Sequence, residues 1–184
     1  MKPYIIIISG KAKVGKDTTA NFIKEYCDNH QLKAINLQYS SYIKMYAKEI
    51  INWDGLENDK PREFLQNLGE YIRTNINKYF FINRIIEDIL VYRKFYDVIT
   101  ISDARLIEEL DIIKEKFPST IKLNIQRPNF NPYHSLKEEN HPTEHALDNY
   151  PNFDYIIHND SSLENLKQNI NKILENNINI ERCD

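Results

Sequence analysis

The fold is decided by the stretch Ile5–Thr19, which has the sequence Ile-Ile-Ile-Ile-Ser-Gly-Lys-Ala-Lys-Val-Gly-Lys-Asp-Thr-Thr. Four consecutive isoleucines favour a β-strand that is buried on both faces, because β-branched side chains pack well on a pleated sheet. Such a strand belongs at the centre of a parallel sheet. It is followed by Gly10 and Gly15 at the spacing G-x-x-x-x-G-K, and a helix is expected from about Lys16.

The glycine spacing is that of a phosphate-binding loop, or P-loop. In such a loop successive backbone N–H groups point inward at a phosphate, and the lysine reaches the β- and γ-phosphates of a nucleotide. The positive end of the following helix adds to the attraction for an anion. The chain has only 4 glycines, so two at this spacing weigh more than in a glycine-rich protein. We predict contacts to the nucleotide at these residues: Gly10, Lys11, Lys13, Gly15, Lys16, Asp17 and Thr18.

The residue after the loop lysine departs from the usual motif, in which a serine or threonine hydroxyl ligates Mg²⁺. Here that residue is Asp17, and Thr18 follows it. A carboxylate is a hard oxygen ligand that suits Mg²⁺ at least as well as a hydroxyl does. The sequence therefore predicts a magnesium site with two candidate ligands, Asp17 or Thr18, and position favours Asp17.

Length, charge and cysteine content narrow the class of protein. A chain of 184 residues fits one domain, so we expect a single domain over residues 1–184. A net charge of −3 predicts neither a nucleic-acid partner nor a membrane-surface partner. The isoleucine run is too short for a signal peptide or a spanning helix. Cys27 and Cys183 lie far apart, which fits reduced thiols in a cytoplasmic protein. The oligomeric state stays open, with a homodimer as one alternative.

Hydrophobic periodicity in the rest of the chain alternates between the strand pattern and the helix pattern. Further strands are predicted at Lys33–Tyr39, Asp97–Ser102, Thr120–Gln126 and Phe153–His158. Helices are predicted at Thr18–His30, at Ser40 to about Ile51 with Ser40-Ser41 as N-cap, from about Pro61 to Ile72 and at Phe80–Tyr92. Two further helices are predicted, a short one that contains Leu106, Leu110 and Ile113, and a last one with an inner face from Leu163 to Leu174. The alternation predicts an α/β protein with three α/β/α layers and a five-stranded parallel sheet, with ligands at the carboxyl ends of the strands.

Two segments extend this framework. A helical, acceptor-binding insert is predicted at about residues 40–95 and a lid at about residues 127–151, because a long segment without apolar periodicity is usually functional. In the lid, His141 and His145 with Glu144 between them invite a zinc interpretation. No cysteine is near, and a loop that closes over phosphates is the preferred interpretation.

Three charged residues follow predicted strands. Phosphoryl transfer depends mostly on positioning and charge neutralisation, so a P-loop enzyme needs a second acid and further cations. Asp103 and Arg105 follow an apolar strand, so Asp103 can hold Mg²⁺ directly or through water while Arg105 faces a phosphate. A structural salt bridge is the alternative for this pair. Arg127, after the next strand, either stacks on the adenine of ATP or clamps its phosphates, unless it is simply solvated.

The insert carries a polar helical face. Arg62, Gln66, Gly69 and Arg73 recur at three- and four-residue spacing. A glycine inside a helix costs about 1 kcal/mol relative to alanine, which suggests close approach of a ligand or another backbone. We predict contacts to the phosphate acceptor at Arg62, Gln66 and Arg73, and at Lys44 on the preceding helix. A solvated face is the alternative.

With these residues placed, most of the chain resembles the deoxynucleoside monophosphate kinase family of P-loop kinases. The resemblance is carried by Ser9-Gly10, Gly15–Ala20, Trp53-Asp54-Gly55, Arg62–Gln66, Leu68-Gly69, Ser102–Arg105, Arg127-Pro128, His141–Glu144 and Asn159-Asp160. The form Gly-Lys-Asp-Thr is typical of this family. The resemblance implies a P-loop NTPase fold that uses ATP and Mg²⁺, with Asn159 at the ATP site. It also implies an acceptor mononucleotide that Arg62, Gln66 and Arg73 contact. Arg105 and Arg127 would contact the phosphate that is transferred.

A weaker resemblance connects Thr143–Tyr150 and Phe153-Asp154 with animal-type phosphomevalonate kinase, which shares the Gly-Lys-Asp loop. Both families commonly have a Ser-x-x-Pro-Leu-Lys type segment where this chain has Tyr39–Tyr42, so the acceptor contacts there stay open. We predict transfer of the γ-phosphate of ATP to a small-molecule phosphate acceptor, a (deoxy)nucleoside monophosphate. The alternatives are transfer to phosphomevalonate, or a P-loop protein that binds nucleotide without transferring phosphate.

Overall fold

A central parallel sheet organises the computed structural model, which describes residues 3–56, 61–131, 133 and 139–179. Within these residues the sheet has five strands in the order β2-β3-β1-β4-β5, and every neighbouring pair is parallel. The strands are β1 (Tyr4–Ser9), β2 (Ala34–Leu37), β3 (Val98–Ala104), β4 (Ile121–Gln126) and β5 (Tyr155–His158). The predicted α/β fold with a five-stranded parallel sheet is confirmed.

Helices connect the strands in alternation. They are α1 (Lys16–Asn29), α2 (Tyr39–Ile51), α3 (Arg62–Tyr71) with a π-helical turn at Ile72–Ile76, α4 (Phe80–Tyr92), α5 (Ile107–Lys116), the short α6 (Pro142–His145) and α7 (Leu163–Asn177). The predicted insert thus contains α2, α3 and α4. Part of the predicted lid, residues 132 and 134–138, lies outside the described residues. Among the described helices, none combines the length and apolar character that a membrane span requires.

The isoleucine run of β1 joins two hydrophobic clusters. Ile6 and Ile8 pack in a cluster with apolar residues of α1 and α7, whereas Ile5 and Ile7 pack in a second cluster with residues of α4 and α5. Each of the four isoleucines is at most 2% exposed, and burial of one such side chain contributes about 1.5–3 kcal/mol to folding. The strand is therefore covered on both faces, and its carboxyl end is held firmly between two helical layers.

The strand order brings the functional loops to one edge of the sheet. Because β1 lies between β3 and β4, the P-loop after β1 lies between the residues that follow those two strands. Ile7 pairs with Ile101, but Ser9 pairs with Ala104, so β3 has one extra residue there. Such a bulge bends the strand and redirects side chains beside a site.

Two local expectations for the insert can be compared with the structure, and one of them is wrong. The predicted N-cap Ser40-Ser41 is wrong, because α2 begins at Tyr39 and has no side-chain cap of its own. Gly69 is buried in α3, where an added Cβ would lie 3.0 Å from Ile43 Cδ1 on α2. This glycine therefore permits close packing of the two helices.

Candidate active site

The P-loop is held in shape by two glycines and by β5. Gly10 has φ +141° and Gly15 has φ +108°, which L side chains rarely adopt. The side-chain amide of Asn159, just after β5, donates a hydrogen bond of 2.9 Å to the carbonyl of Val14. A Cβ on Gly15 would lie 2.7 Å from that amide nitrogen. The hydrogen bond from Asn159 therefore supports the shape of the loop. Lys13 is exposed in this loop and has φ 55°.

Lys16 is the buried cation of this loop. Its side chain lies at the start of α1, is 9% exposed, and its Nζ donates to the carbonyl of Lys11 at 2.6 Å. The pKa of Lys16 is lowered to about 7, mainly by burial and also by the nearby Arg105, while Asp17 and Asp103 act in the opposite direction. The site therefore disfavours the charged ammonium until an anion is brought near it.

Asp17 belongs to a polar cluster that spans β2 and β3. Its Oδ1 accepts hydrogen bonds from Gln38 Nε2 at 3.2 Å and from Ser102 Oγ at 3.4 Å. Ser102 Oγ also accepts from Gln38 at 3.1 Å and from Asn36 Nδ2 at 2.9 Å. These contacts fix one oxygen of an otherwise exposed carboxylate, which suits a cation ligand. Thr18, the other candidate ligand, is half-buried on α1.

Asp103 anchors the insert to the sheet. Its Oδ1 accepts from the backbone N–H of Tyr39 and its Oδ2 from that of Ser40, each at 2.9 Å. The aspartate thus supplies from β3 the cap that α2 lacks locally. Each carboxylate oxygen retains a second lone pair, so this role does not preclude contact with a metal-bound water.

Arg105 is oriented by two glutamates. Its backbone N–H donates to Glu109 Oε2 at 2.7 Å, and its guanidinium forms an ion pair with Glu144. Burial lowers the pKa of Arg105, which the nearby Asp103 opposes. Burial also raises the pKa of Glu109 to about 7, opposed by its hydrogen bonds from the backbone of Arg105 and Leu106.

Glu144 extends from α6 to the P-loop. Its Oε2 accepts from the backbone N–H of Ala12 at 3.1 Å and from the hydroxyl of Tyr133 at 2.6 Å. The side chain is 10% exposed. A backbone amide of the P-loop and the guanidinium of Arg105 therefore converge on one carboxylate, which shows that the loop can hold an anionic oxygen.

The neighbouring lid residues bind one another and the loop. Lys11 Nζ lies 3.2 Å from an oxygen of Asp148, and His145 Nδ1 lies 2.9 Å from the other. The ring of His141 accepts from the backbone of Thr143 at the start of α6. In the part of the chain that the structure describes, no three His, Cys, Asp or Glu side chains are grouped to hold a metal ion, so the zinc interpretation gains no support there.

Two cavities adjoin the segment between β3 and α5. The first has a volume of about 350 Å³ and is lined by the P-loop, Arg105, Arg127, Phe130 and lid residues. The guanidinium of Arg127 lies 4.3 Å from the ring centre of Phe130. The second has a volume of about 540 Å³, and its lining consists of Arg73, Thr74, Lys78, Tyr79, Phe81, Ile82, Leu106, Glu108 and Glu109.

Comparison with known sequences decides the family. Residues 30–170 match the deoxynucleotide monophosphate kinase family. This range contains the strands β2 to β5 and the helices α2 to α6, together with the first half of α7. The chain belongs to this family. Membership makes the protein a P-loop phosphotransferase, and a kinase of this kind uses ATP as its phosphate donor. No curated protein matches the chain at a significant level.

Solved structures show the same fold in other kinases. Shikimate kinase from Aquifex aeolicus is 13% identical with a TM-score of 0.52, covering 94% of this chain and 97% of that one. The APS kinase of Mycobacterium tuberculosis, solved with AMPPNP and APS, is 13% identical with a TM-score of 0.50, covering 95% and 98%. A putative kinase from Chloroflexus aurantiacus is 13% identical with a TM-score of 0.50, covering 97% and 100%. At this identity the likeness concerns the fold alone.

Within this deoxynucleotide monophosphate kinase family member, the predicted site residues fall into two groups. Lys16, Asp17, Asp103 and Arg105 lie close enough together that the last three shift the pKa of Lys16. Arg73 is half-buried and lines the second cavity.

The remaining predicted acceptor residues do not line either cavity. Arg62 and Gln66 are exposed on α3, and Lys44 is half-buried on α2. Among the described residues, neither cavity is lined by any of these three. Arg62 is the first residue of α3, whereas Arg73 lies beyond the end of α3, in the π-helical turn that meets the second cavity.

Sequence reasoning missed Gln38, Ser102 and Glu144 as parts of the site. Gln38 gave no signal, because its contact with Asp17 depends on the pairing of β2 with β3. Ser102 and Glu144 both stand in motifs that carry the family resemblance, Ser102–Arg105 and His141–Glu144. Those motifs were the available signal.

Proposed function

We propose that this protein transfers the γ-phosphate of ATP to a deoxynucleoside monophosphate, releasing ADP and the deoxynucleoside diphosphate. The observation that carries the proposal is the placement of two cavities on either side of one segment. Arg105 lines the cavity at the P-loop, whereas Leu106, Glu108 and Glu109 line the cavity at the insert. A donor and an acceptor bound in these cavities would meet at Arg105.

The donor side uses the P-loop. Lys16 and the backbone amides of the loop hold the β- and γ-phosphates, with Lys11 and Lys13 adding positive charge and Asn159 bracing the loop. The convergence of Ala12 N–H and Arg105 on the Glu144 carboxylate supports the fit of the loop to phosphate oxygens.

The magnesium site would be formed by Asp17, held by Ser102 and Gln38, with Thr18 as the alternative ligand and Asp103 contacting the ion through water. The fit rests on the exposed carboxylate of Asp17, one oxygen of which is fixed by the polar cluster. A Mg²⁺ ion held by these residues would supply positive charge that offsets the negative charge of the donor phosphates.

The acceptor side is the second cavity. Its polar and aromatic lining suits a nucleotide, because Arg73 can meet a phosphate while Tyr79, which is 41% exposed, can offer an aromatic face to a base. Arg73 already lies 5.8 Å from the ring centre of Phe81. Lys44, Arg62 and Gln66 remain candidate contacts at the margin of the insert.

In the reaction, an oxygen of the acceptor phosphate attacks the γ-phosphorus, and the bond from that phosphorus to the β–γ bridging oxygen breaks. Both electrons of that bond leave with ADP, so no covalent intermediate with the protein is required. Arg105 and Arg127 stabilise the charge on the phosphoryl oxygens.

The test is ADP release measured with ATP alone and with a panel of deoxynucleoside monophosphates, ribonucleoside monophosphates and phosphomevalonate. We expect release to depend on a deoxynucleoside monophosphate. Release that depends only on phosphomevalonate would make that compound the acceptor. Release that is slow and independent of every acceptor would assign the chain to nucleotide-binding proteins without transfer activity.

We also propose a cytoplasmic location. Cys27 is a buried free cysteine, and burial raises the pKa of its thiol to about 12. The proposal rests on the sequence positions of the cysteines, because Cys27 and Cys183 lie far apart in the chain, a pattern that fits reduced thiols.

A further inference from the structure

Glu144 occupies the P-loop as an anion would. Its carboxylate accepts from Ala12 N–H, which lies in the middle of the loop, and pairs with the guanidinium of Arg105. A backbone amide and an arginine are also the groups that hold a phosphate in a P-loop. The carboxylate and a donor phosphate therefore need the same two partners.

Further contacts keep the glutamate in this position. The hydroxyl of Tyr133 donates to the same carboxylate at 2.6 Å. A second link joins the same two segments, because Lys11 of the loop pairs with Asp148 at 3.2 Å. With only 10% of its side chain exposed, Glu144 has little water around it to replace these partners.

We propose that Glu144 is an autoinhibitory residue, which competes with the donor phosphates for Ala12 N–H and Arg105 and which must leave the P-loop when ATP binds. The proposal rests on the donor half of the proposed function and is independent of the acceptor. It makes the segment that contains α6 a latch on the donor site, whose release is coupled to ATP binding.

The size of the coupling is set by the fraction of molecules in which Glu144 occupies the loop. If only a fraction of the molecules has the site available, the apparent dissociation constant rises by the inverse of that fraction. A latch that is closed in about nine-tenths of the molecules therefore weakens ATP binding about tenfold. One charge-assisted hydrogen bond is sufficient to produce such a bias.

The experiment measures the dissociation constant of ATP by calorimetry in the absence of acceptor. It compares the wild-type chain with Glu144→Gln, Tyr133→Phe and Glu115→Gln. Glu115 is an exposed residue of α5, so its variant makes the same change in net charge elsewhere. Tyr133→Phe weakens the latch without changing any charge.

We expect Glu144→Gln to bind ATP about tenfold more tightly than wild type. Tyr133→Phe should shift the constant in the same direction by a smaller factor, and Glu115→Gln should match wild type. The proposal is overturned if Glu144→Gln binds ATP with unchanged or lower affinity. It is also overturned if Tyr133→Phe leaves the affinity unchanged, since the effect at 144 would then reflect charge alone.

A second measurement, hydrogen exchange, distinguishes the loss of the Glu144 contact from misfolding of the variant. In the wild-type chain the Ala12 amide should exchange its hydrogen slowly, and in Glu144→Gln it should exchange faster while amides of β1 keep their protection. Failure of every acceptor to release ADP would refute the proposed transfer reaction but would not alter these ATP affinities. The two proposals therefore fail by different observations.

Discussion

Lys16 is a buried cation whose charge state depends on what lies in the P-loop. Its pKa is lowered to about 7, mainly by burial and then by Arg105, so in mildly alkaline solution most molecules hold it neutral. A phosphate placed beside the ammonium favours the protonated form and raises that pKa. ATP binding at about pH 8.5 should therefore take up close to one proton, whereas binding at about pH 5.5 should take up almost none through this residue.

Calorimetry in buffers of different ionisation enthalpy measures this uptake. Lys16→Met provides the control, because it retains a long side chain without a titratable group. Equal proton uptake by Lys16→Met and wild type at the alkaline pH would contradict the assignment of the shift to Lys16.

At the scale of the element, α2 depends on Asp103 for its first turn. Both carboxylate oxygens accept N–H groups of that turn, and loss of a capping side chain costs about 0.5–2 kcal/mol. We expect Asp103→Ala to lower the free energy of unfolding by about this amount, as measured by urea denaturation.

Asp103→Asn separates the cap from the proposed metal role. The amide keeps one acceptor oxygen, so this variant should lose less stability than Asp103→Ala. If Asp103 also serves Mg²⁺ through water, Asp103→Asn should need more Mg²⁺ for half-maximal activity. An unchanged Mg²⁺ requirement would restrict Asp103 to the anchoring of α2.

The continuous helical segment formed by α3 and the π-helical turn after it offers a pair of arginines for comparison. Arg73, in the π-helical turn, lines the cavity assigned to the acceptor, while Arg62 lies exposed at the opposite end of this helical segment. Arg73→Ala should raise the KM of the acceptor about tenfold or more, because a hydrogen bond to a charged group contributes about 1.5–3 kcal/mol. The KM of ATP should stay unchanged.

Steady-state kinetics with each substrate varied in turn checks this expectation. Arg62→Ala serves as the comparison on the same helix and should change the acceptor KM less. A larger increase of the acceptor KM in Arg62→Ala than in Arg73→Ala would contradict binding of the acceptor in the second cavity. It would instead favour binding on the polar helical face that was predicted from residue spacing.

At the scale of the whole molecule, local signals predicted the elements well. The isoleucine run, the glycine spacing and the helical periodicity of Phe80–Tyr92 all act over a few residues, and the structure contains each element. The strand order could not be obtained in this way, because it depends on which buried faces pack together. The cap of α2 also comes from a distant strand, which is why Ser40-Ser41 was a wrong prediction for it.

Part of the candidate site could also be predicted from local sequence signals, and part could not. Lys16 and Asp17 come after β1, while Asp103 and Arg105 lie at the carboxyl end of β3. Because these two strands are parallel neighbours, the four residues come to the same edge of the sheet. Gln38 and Glu144 meet the P-loop through contacts that join segments 21 and 132 residues apart. No periodicity or spacing encodes such contacts, so only the structure reveals them.

The proposed reaction passes one phosphoryl group from ATP to a deoxynucleoside monophosphate at the P-loop. The most direct measurement follows ATP labelled in its γ-phosphate through a single incubation with the acceptor and identifies the labelled product. If this reaction occurs, the label is expected in the deoxynucleoside diphosphate, with little transfer by Lys16→Met. Label found only in inorganic phosphate, or transfer that persists in Lys16→Met, would contradict it.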